Sequence, residues 1–232
     1  MTELQKQISD IRSRLRNGVR LVAVSKFHPI TKLREAYACG QRCFGESRAQ
    51  ELQEKVPQMP ADTEWHFIGH LQQNKVKIVV PVVTMIHSVD SLHLLMEIDK
   101  QASRLKDLRL NAGLPEKVKV LLQLHVAQEA TKFGFTPEEL TQMLEEGTWR
   151  TCKNLEIAGL MCMATNTEDT EEIHREFLIA KKCFDNIQAK FFSNDPNFCE
   201  CSWGMTEDYD IAMKCGSTIV RIGSGIFGER EY

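Results

Sequence analysis

The residues of this chain that are best suited to chemistry are a lysine that ends an apolar run and a group of small polar residues near the carboxyl terminus. Lys26 follows the run LVAVS at 21–25. If this run is a buried strand, its end directs Lys26 into partly desolvated surroundings. The pKa of the amine then falls, and the free amine can attack an aldehyde to form a Schiff base. A lysine at a strand end is more often a solvated charge, so the position makes this chemistry available without establishing it.

Two segments near the carboxyl terminus combine hydroxyl groups with glycines, which let backbone N–H groups approach phosphate oxygens. They are SWGMTED at 202–208 and RIGSGIFG at 221–228, with Ser202, Thr206, Ser224, Gly204, Gly223 and Gly225 as the residues concerned. Either segment alone also fits an ordinary tight turn. Together with Lys26 and Arg221 they indicate a phosphorylated aldehyde as the ligand. Pyridoxal 5′-phosphate is one such ligand, and a sugar phosphate bound as in a lysine-dependent aldolase is the other.

A third polar segment is WHFIGHLQQNK at 65–75. His66 falls inside an apolar run and is expected to be a core histidine with a hydrogen-bond partner. His70 and Asn74 fall in the loop that follows, where a binding role is easier to accommodate. A plain helix start also explains residues 72–75.

Length and composition favour an ordinary globular protein with a small-molecule ligand. The chain has 232 residues, 42% of them hydrophobic and 26% charged, and its net charge is −3 from 29 Lys and Arg against 32 Asp and Glu. We expect one domain over 1–232, beginning with a helix at about 1–17. No basic excess indicates nucleic acid or an anionic membrane as a partner.

The eight cysteines and the polar amino terminus indicate a cytoplasmic protein with reduced thiols. The cysteines form no CxxC pair and no dense disulfide framework, and neither closely spaced pair has a histidine nearby in sequence to complete a zinc site. We therefore expect no metal. The first residues lack the apolar core of a signal peptide, and no run is long enough to span a bilayer.

Short β-branched runs alternate with segments of helical period along the chain. The sequence predicts strands at 19–24, 42–44, 65–69, 83–88, 118–126, 155–162, 199–203 and 218–222. Eight βα units favour an α/β fold of the (β/α)8 TIM-barrel type, with an open doubly wound sheet as the alternative. No GxGxxG follows the first strand to support a dinucleotide-binding unit.

Local signals predict where several of the outer helices begin. Thr136, followed by Pro and two Glu, predicts a capping box. Apolar stripes after Ser91 and Asp169 predict amphipathic helices there, and Ser47 with Gln50 predicts a second capping box.

The chain resembles the pyridoxal phosphate homeostasis protein family (the YggS or proline synthase co-transcribed family) over nearly its whole length. The motifs that carry the resemblance are AVSK at 23–26, FGES at 44–47, WHFIGHLQQNK at 65–75, HSVDS at 87–91, GLMCMA at 159–164, SWGMTED at 202–208 and GSTIVRIGSGIFGER at 216–230. The resemblance implies a single-domain barrel like the N-terminal domain of alanine racemases, with pyridoxal 5′-phosphate held as an internal aldimine.

The resemblance also implies a role for each matching residue. It assigns the aldimine to Lys26, the group facing the pyridine nitrogen to Arg221, and a place in the lining to Asn74. It assigns the phosphate contacts to Ser202, Thr206, Gly223 and Ser224. The chain departs from the family pattern at Ser47, where Asn is common, and at Trp203 and Thr206, where Met and Ser are usual.

These observations favour a cofactor carrier that takes part in vitamin B6 homeostasis over an enzyme. A cationic Arg221 beside the pyridine nitrogen disfavours ring protonation and weakens the ring as an electron sink. The chain ends at Tyr232, so we expect no additional β domain to supply the second base of a racemase. We expect a monomer that passes the cofactor to PLP-dependent apoenzymes; the alternative is a racemase or lyase of weak activity.

Overall fold

A computed structural model describes residues 2–127 and 133–228 of the chain. Within these residues, eight parallel strands follow one another around a closed barrel, and the last pairs with the first. The strands are β1 (Arg20–Val24), β2 (Cys43–Glu46), β3 (Glu64–Phe67), β4 (Met85–Val89), β5 (Val118–Gln123), β6 (Leu155–Met161), β7 (Glu200–Ser202) and β8 (Ile219–Ile222).

Helices surround this barrel, most of them in the connections between strands. They are α1 (Glu3–Arg14), α2 (Ile30–Ala38), α3 (Ala49–Lys55), α4 (Val76–Val79), α5 (Leu92–Arg104), α6 (Lys106–Asn111), α7 (Pro137–Glu146), α8 (Thr170–Phe191), α9 (Tyr209–Lys214) and α10 (Ser224–Phe227). In the part of the chain that the structure describes, the connections also contain three 3-10 helices, Val56–Gln58, Gln73–Lys75 and Thr148–Thr151. Within residues 2–127 and 133–228, no helix combines the length and the hydropathy that a membrane crossing requires.

The structure confirms the predicted (β/α)8 barrel, because β1 pairs with β8 and closes the sheet, whereas an open doubly wound sheet is not closed. Each predicted strand overlaps an observed one, and the differences lie at the ends. The second strand extends through Glu46, since Gly45 and Glu46 pair with β3 beyond the apolar run. The fifth strand ends at Gln123, and Leu124 then forms an isolated bridge with Phe135.

Capping interactions confirm three of the predicted helix starts. Thr136 and Glu139 exchange hydrogen bonds as a capping box, Ser91 caps α5, and Asp169 caps α8. The predicted capping box at Ser47 is wrong. Helix α3 begins one residue later, after Arg48, and no side chain caps it. The backbone of Ser47 instead packs closely against Gly69 at the end of β3, which leaves its side chain at the mouth of the barrel.

Apolar residues fill the space between the strands and the helices, as β-branched and aliphatic side chains on both faces of parallel strands require. A second, smaller apolar cluster lies inside the barrel and consists of Val22, Cys43, Met85, Leu121, Ala158, Met161 and Ile219. These inward-facing side chains leave room for several buried polar groups in the barrel interior, including His66, His87, Ser202 and Arg221.

A substitution at Gly159 in β6 tests how closely the strands of the barrel wall pack. Its φ is +152°, and a Cβ there would lie 1.9 Å from the backbone oxygen of Glu200 in β7. Gly159→Ala is expected to lower the free energy of unfolding by about 3 kcal/mol or more, because backbone of both strands must shift. Chemical denaturation measures this effect. Gly113→Ala is the control: its φ is +73° but nothing lies within 4 Å, so the expected loss is only about 1 kcal/mol.

Candidate functional site

A cavity of about 500 Å³ lies at the carboxyl ends of the strands, where barrels of this kind place their sites. Its walls come from the connections after β1, β2, β3, β6, β7 and β8. Five of the predicted site residues line it: Lys26, Thr206, Arg221, Gly223 and Ser224. The structure thus brings a primary amine, a guanidinium and two hydroxyls from both ends of the chain to one cavity.

Lys26 lies in the turn that follows β1 and is partly buried. The strand positions it, because Val24 and Ser25 before it are buried and the Ser25 N–H donates to the Gly45 oxygen at 3.0 Å. Lys26 therefore lies just beyond the carboxyl end of β1 and borders the cavity.

Arg221 lies in β8, the strand that pairs with β1, and is almost completely buried. Its Nη1 donates to the backbone oxygen and to Oγ of Ser202, both at 2.6 Å, and its Nη2 donates to the Cys162 oxygen at 2.9 Å. Burial lowers the pKa of the guanidinium. Three hydrogen bonds fix its plane, so Arg221 presents a positive charge of defined orientation to the cavity.

Ser202 is not brought to the cavity wall. It ends β7 with its side chain completely buried inside the barrel, where Oγ accepts from Arg221 and lies 2.9 Å from His87 Nδ1. Its hydroxyl is therefore committed to the protein interior and orients Arg221. The structure thus does not bring Ser202 to the cavity with Thr206, Gly223 and Ser224, and its phosphate contact stays a prediction.

Two buried histidines extend this arrangement into the barrel. His87 Nε2 lies 2.9 Å from His66 Nδ1, which confirms that His66 is a core histidine with a partner. Burial, together with the positive charge of Arg20, lowers the pKa of His66 to about 3, and burial also places the pKa of His87 well below its usual range. Both rings are therefore neutral at physiological pH.

Arg221, Ser202, His87 and His66 form one polar chain inside the barrel. A guanidinium only donates, so the Ser202 oxygen accepts from Arg221. A neutral imidazole has one N–H and one acceptor nitrogen, so His87 either accepts from the Ser202 hydroxyl and donates to His66, or donates to Ser202 Oγ and accepts from His66. Both tautomers keep every member of the polar chain hydrogen-bonded.

The two predicted phosphate loops, after β7 and β8, meet at the Thr206 hydroxyl on the cavity wall. The Ser224 hydroxyl donates to Thr206 Oγ1 at 3.2 Å, and the Gly225 N–H approaches the same oxygen at 3.4 Å. A Cβ on Gly225 would lie 3.0 Å from Ile222 Cγ2 and 3.1 Å from the Thr206 methyl group, so any larger residue would require these side chains to shift. Hydroxyls, a backbone N–H and closely packed small residues suit the oxygens of a phosphate group.

The loop after β6 forms a further wall that the sequence analysis did not assign. Residues 163–167 line the cavity. Glu176 of α8 holds this loop, because its carboxylate accepts from both the backbone N–H and the hydroxyl of Thr165, each at 2.6 Å. The signal was present in the sequence: Glu176 falls among the buried apolar positions of α8, where a charged residue needs a partner.

Asn74, His70 and Trp203 do not line the cavity. Asn74 is exposed in the 3-10 helix Gln73–Lys75, so the structure does not bring it to the other predicted residues. His70 pairs with Asp90 at 3.0 Å and stacks on Phe133. Trp203 is completely buried in the core around the barrel, which accommodates its bulk away from the site, whereas Ser47 lies on the cavity wall.

The polar chain ends near a cluster at the other end of the barrel. Ligand atoms of Cys43, Glu64 and His66 lie within 4.8 Å of one another. The sequence did not predict this cluster, because Cys43 lies in β2 whereas Glu64 and His66 lie in β3. Burial raises the pKa of the Cys43 thiol and favours its protonated form, while the charge of Arg20 acts on both Cys43 and His66. A protonated thiol and a nearby guanidinium oppose a cation, so we assign no metal to this cluster.

Comparison with known proteins first defines the class of this barrel. Residues 1–231 match the family model of the alanine racemase N-terminal domain. An alanine racemase from Clostridium difficile has the same fold, with a TM-score of 0.71 and 14% identity over 99% of this chain and 56% of that chain. The fold is thus that of the barrel domain of alanine racemases.

More similar proteins define the family. Pyridoxal phosphate homeostasis proteins from Helicobacter pylori and Homo sapiens are each 37% identical to this chain, over 91% of it and 88% of the former, and over 92% of it and 77% of the latter. The structures of PipY from Synechococcus elongatus, without and with PLP, have TM-scores of 0.86 and 0.83 at 33% identity, covering 97% of this chain and 100% of that one. The chain belongs to the pyridoxal phosphate homeostasis protein family.

The low pKa of His66 predicts acid sensitivity of the fold. Its pKa is about 3 in the folded state against an ordinary 6.5, so the unfolded chain binds more protons between these pH values. The free energy of unfolding should therefore decrease as the pH falls from about 6.5, with His66 contributing up to about 1.4 kcal/mol per pH unit. Denaturant titrations at pH 6.0, 5.0 and 4.5 should show a shallower dependence for His66→Gln. An unchanged pH dependence of the free energy of unfolding in His66→Gln would contradict a neutral buried ring. The exposed His93→Gln is the control and should keep the wild-type pH dependence.

Proposed function

We propose that this protein binds pyridoxal 5′-phosphate reversibly in the cavity and holds it as a Schiff base on Lys26, so that it buffers the cofactor within vitamin B6 homeostasis and affects amino-acid balance indirectly. The observation that carries the proposal is the shared cavity of about 500 Å³. It combines Lys26, the guanidinium of Arg221 and the hydroxyls of Thr206 and Ser224, which match the aldehyde, the ring nitrogen and the phosphate of this ligand.

The covalent step needs only the lysine and the aldehyde. The neutral amine of Lys26 attacks the carbonyl carbon, a C=N bond replaces C=O, and the carbonyl oxygen leaves as water. Hydrolysis by water reverses the step and releases intact cofactor. Reversibility is what a reservoir of the cofactor requires.

Arg221 favours storage over catalysis. Its guanidinium faces the cavity with its orientation fixed by Ser202 and Cys162. A positive charge beside the pyridine nitrogen disfavours ring protonation and thus the electron sink that amino-acid chemistry uses. The relatives of this chain are named homeostasis proteins, which also supports storage of the cofactor over catalysis.

The proposal extends to partners and location. A reservoir acts by supplying PLP-dependent apoenzymes, which are the acceptors we propose, and the protein acts as a monomer. All eight cysteines are free thiols in the structure, which suits the reducing cytoplasm.

The lysine assignment predicts a spectroscopic result. Purified protein with added cofactor should show a visible absorption band that borohydride abolishes, and peptide mapping should locate the reduced adduct on Lys26. Lys26→Ala should lose the band and stay folded, because the phosphate loops come from other strands. Lys75→Ala is the control and should keep the band. An unchanged band in Lys26→Ala would contradict the assignment. A protein that remains colourless after PLP is added would favour the alternative function, a sugar-phosphate aldolase.

The phosphate assignment predicts a difference between two ligands. Thr206→Val removes the hydroxyl but keeps the shape, so affinity for PLP should fall about tenfold, as the loss of a hydrogen bond to a charged group implies. Affinity for pyridoxal, which has no phosphate, should stay the same. Equilibrium titrations measure both, with the exposed Thr151→Val as control. Equal losses for the two ligands would place the phosphate elsewhere.

Storage and catalysis differ in what the loaded protein does. A reservoir should restore the activity of an added PLP-dependent apoenzyme while showing no amino-acid turnover of its own. Sustained racemisation or elimination that depends on Lys26 would favour the alternative of a weak racemase or lyase.

A further inference from the structure

The turn that carries Lys26 is held on both sides by one buried group of charged residues. We propose that Lys55, Glu46 and Glu51, called here the lysine clamp, position Lys26 for its reaction with the aldehyde. The inference rests on the proposed function and assigns positioning roles to three residues that do not line the cavity.

The first contact of the lysine clamp precedes Lys26. Lys55 Nζ donates to the backbone oxygen of Ser25 at 2.8 Å, and the Ser25 hydroxyl donates to Glu46 Oε1 at 2.6 Å. Lys55 Nζ also donates to the same Glu46 oxygen at 2.8 Å. Backbone and side chain of the residue before Lys26 are therefore both bonded to the clamp.

The second contact follows Lys26. The Phe27 N–H donates to Glu51 Oε2 at 2.8 Å, and Lys55 Nζ donates to that same oxygen at 2.7 Å. Phe27 has a φ of +67°, and among the described residues no other non-glycine residue has a positive φ. Aromatic residues rarely adopt this conformation, and it persists only where its surroundings hold it. The guanidinium of Arg48, stacked 4.4 Å from the Phe27 ring, adds to this restraint.

Burial of these charges is costly for a purely structural role. Glu46 is completely buried, the Lys55 side chain is 9% exposed, and burial raises the pKa of Glu46 although Lys55 lowers it. Despite the opposing effect of burial, hydrogen bonds from Lys55 and Phe27 lower the pKa of Glu51. Apolar side chains of similar size would serve stability as well as a buried ion group, so what these charges add is fixed geometry.

The lysine clamp restrains Lys26 more than it restrains the other residues of the cavity. Both neighbours of Lys26 are fixed, so its Cα–Cβ bond keeps one direction relative to the cavity, and its amine remains close to the bound aldehyde. The phosphate loops and Arg221 come from β7 and β8 and make no contact with the clamp in the hydrogen bonds of the described residues. Release of the clamp should therefore weaken the covalent contribution to binding and leave the other contacts intact.

Two ligands separate these contributions. PLP carries the aldehyde, whereas pyridoxine 5′-phosphate carries an alcohol in its place and cannot form the C=N bond. The ratio of their dissociation constants reports how well Lys26 is positioned. Overall damage to the fold weakens both ligands and leaves the ratio unchanged.

The variant to test is Glu51→Ala, because it removes the acceptor for Phe27 and leaves Lys55 paired with Glu46. Its affinity for PLP should fall about tenfold or more, while its affinity for pyridoxine 5′-phosphate should stay within about twofold of wild type. Glu51→Gln keeps an oxygen that accepts from Phe27 and should restore most of the PLP affinity. Glu97→Ala is the matched control, because Glu97 also pairs with a lysine on its own helix, Lys100, away from the cavity.

Two results would overturn the inference and leave the proposed function intact. Unchanged PLP affinity in Glu51→Ala would mean that the clamp does not position Lys26, and equal losses for both ligands would mean that it serves the fold alone. If the wild-type protein binds pyridoxine 5′-phosphate but forms no adduct with PLP, or binds neither, the proposed function fails together with the inference.

Discussion

Parallel pairing of the first strand with the last is the constraint on which the candidate site depends. Val22 lies opposite Arg221 and Ala23 opposite Ile222, so the turn with Lys26 emerges beside the loop that begins at Gly223. A Cβ on Gly223 would lie 3.4 Å from the Val24 Cβ. Residues nearly two hundred positions apart in sequence therefore share one cavity, and the six other strands serve to close the ring that brings them together.

Two separate sets of buried polar groups position residues of this cavity. The polar chain of Arg221, Ser202, His87 and His66 runs down inside the barrel and fixes the guanidinium of Arg221. The lysine clamp lies outside the barrel wall, behind the turn that carries Lys26. Satisfied polar networks of this kind define geometry more strictly than apolar packing does, because each hydrogen bond has a preferred direction. The backbone on both sides of Lys26 and the guanidinium of Arg221 thus have defined positions before any ligand binds.

The sequence predicted the barrel and its strands because their signals are local: alternation of β-branched runs with amphipathic segments, and capping residues such as Thr136 and Ser91. It did not predict that the Ser202 hydroxyl faces inward or that Asn74 stays apart, since those depend on register and on the path of a loop. The sequence did not predict the lysine clamp either, because Lys55 in α3 and Glu46 in β2 come together only when the helix packs on the strand. Only Glu176, a charge among apolar helix positions, gave a signal that could have been used.

The most direct test of the account is an experimental structure of the protein with pyridoxal 5′-phosphate. The account predicts continuous density from Lys26 Nζ to the cofactor, the phosphate within hydrogen-bonding distance of Thr206 and Ser224, and the ring nitrogen facing Arg221. A cofactor attached to another lysine, or one whose phosphate lies away from the loops after β7 and β8, would contradict it.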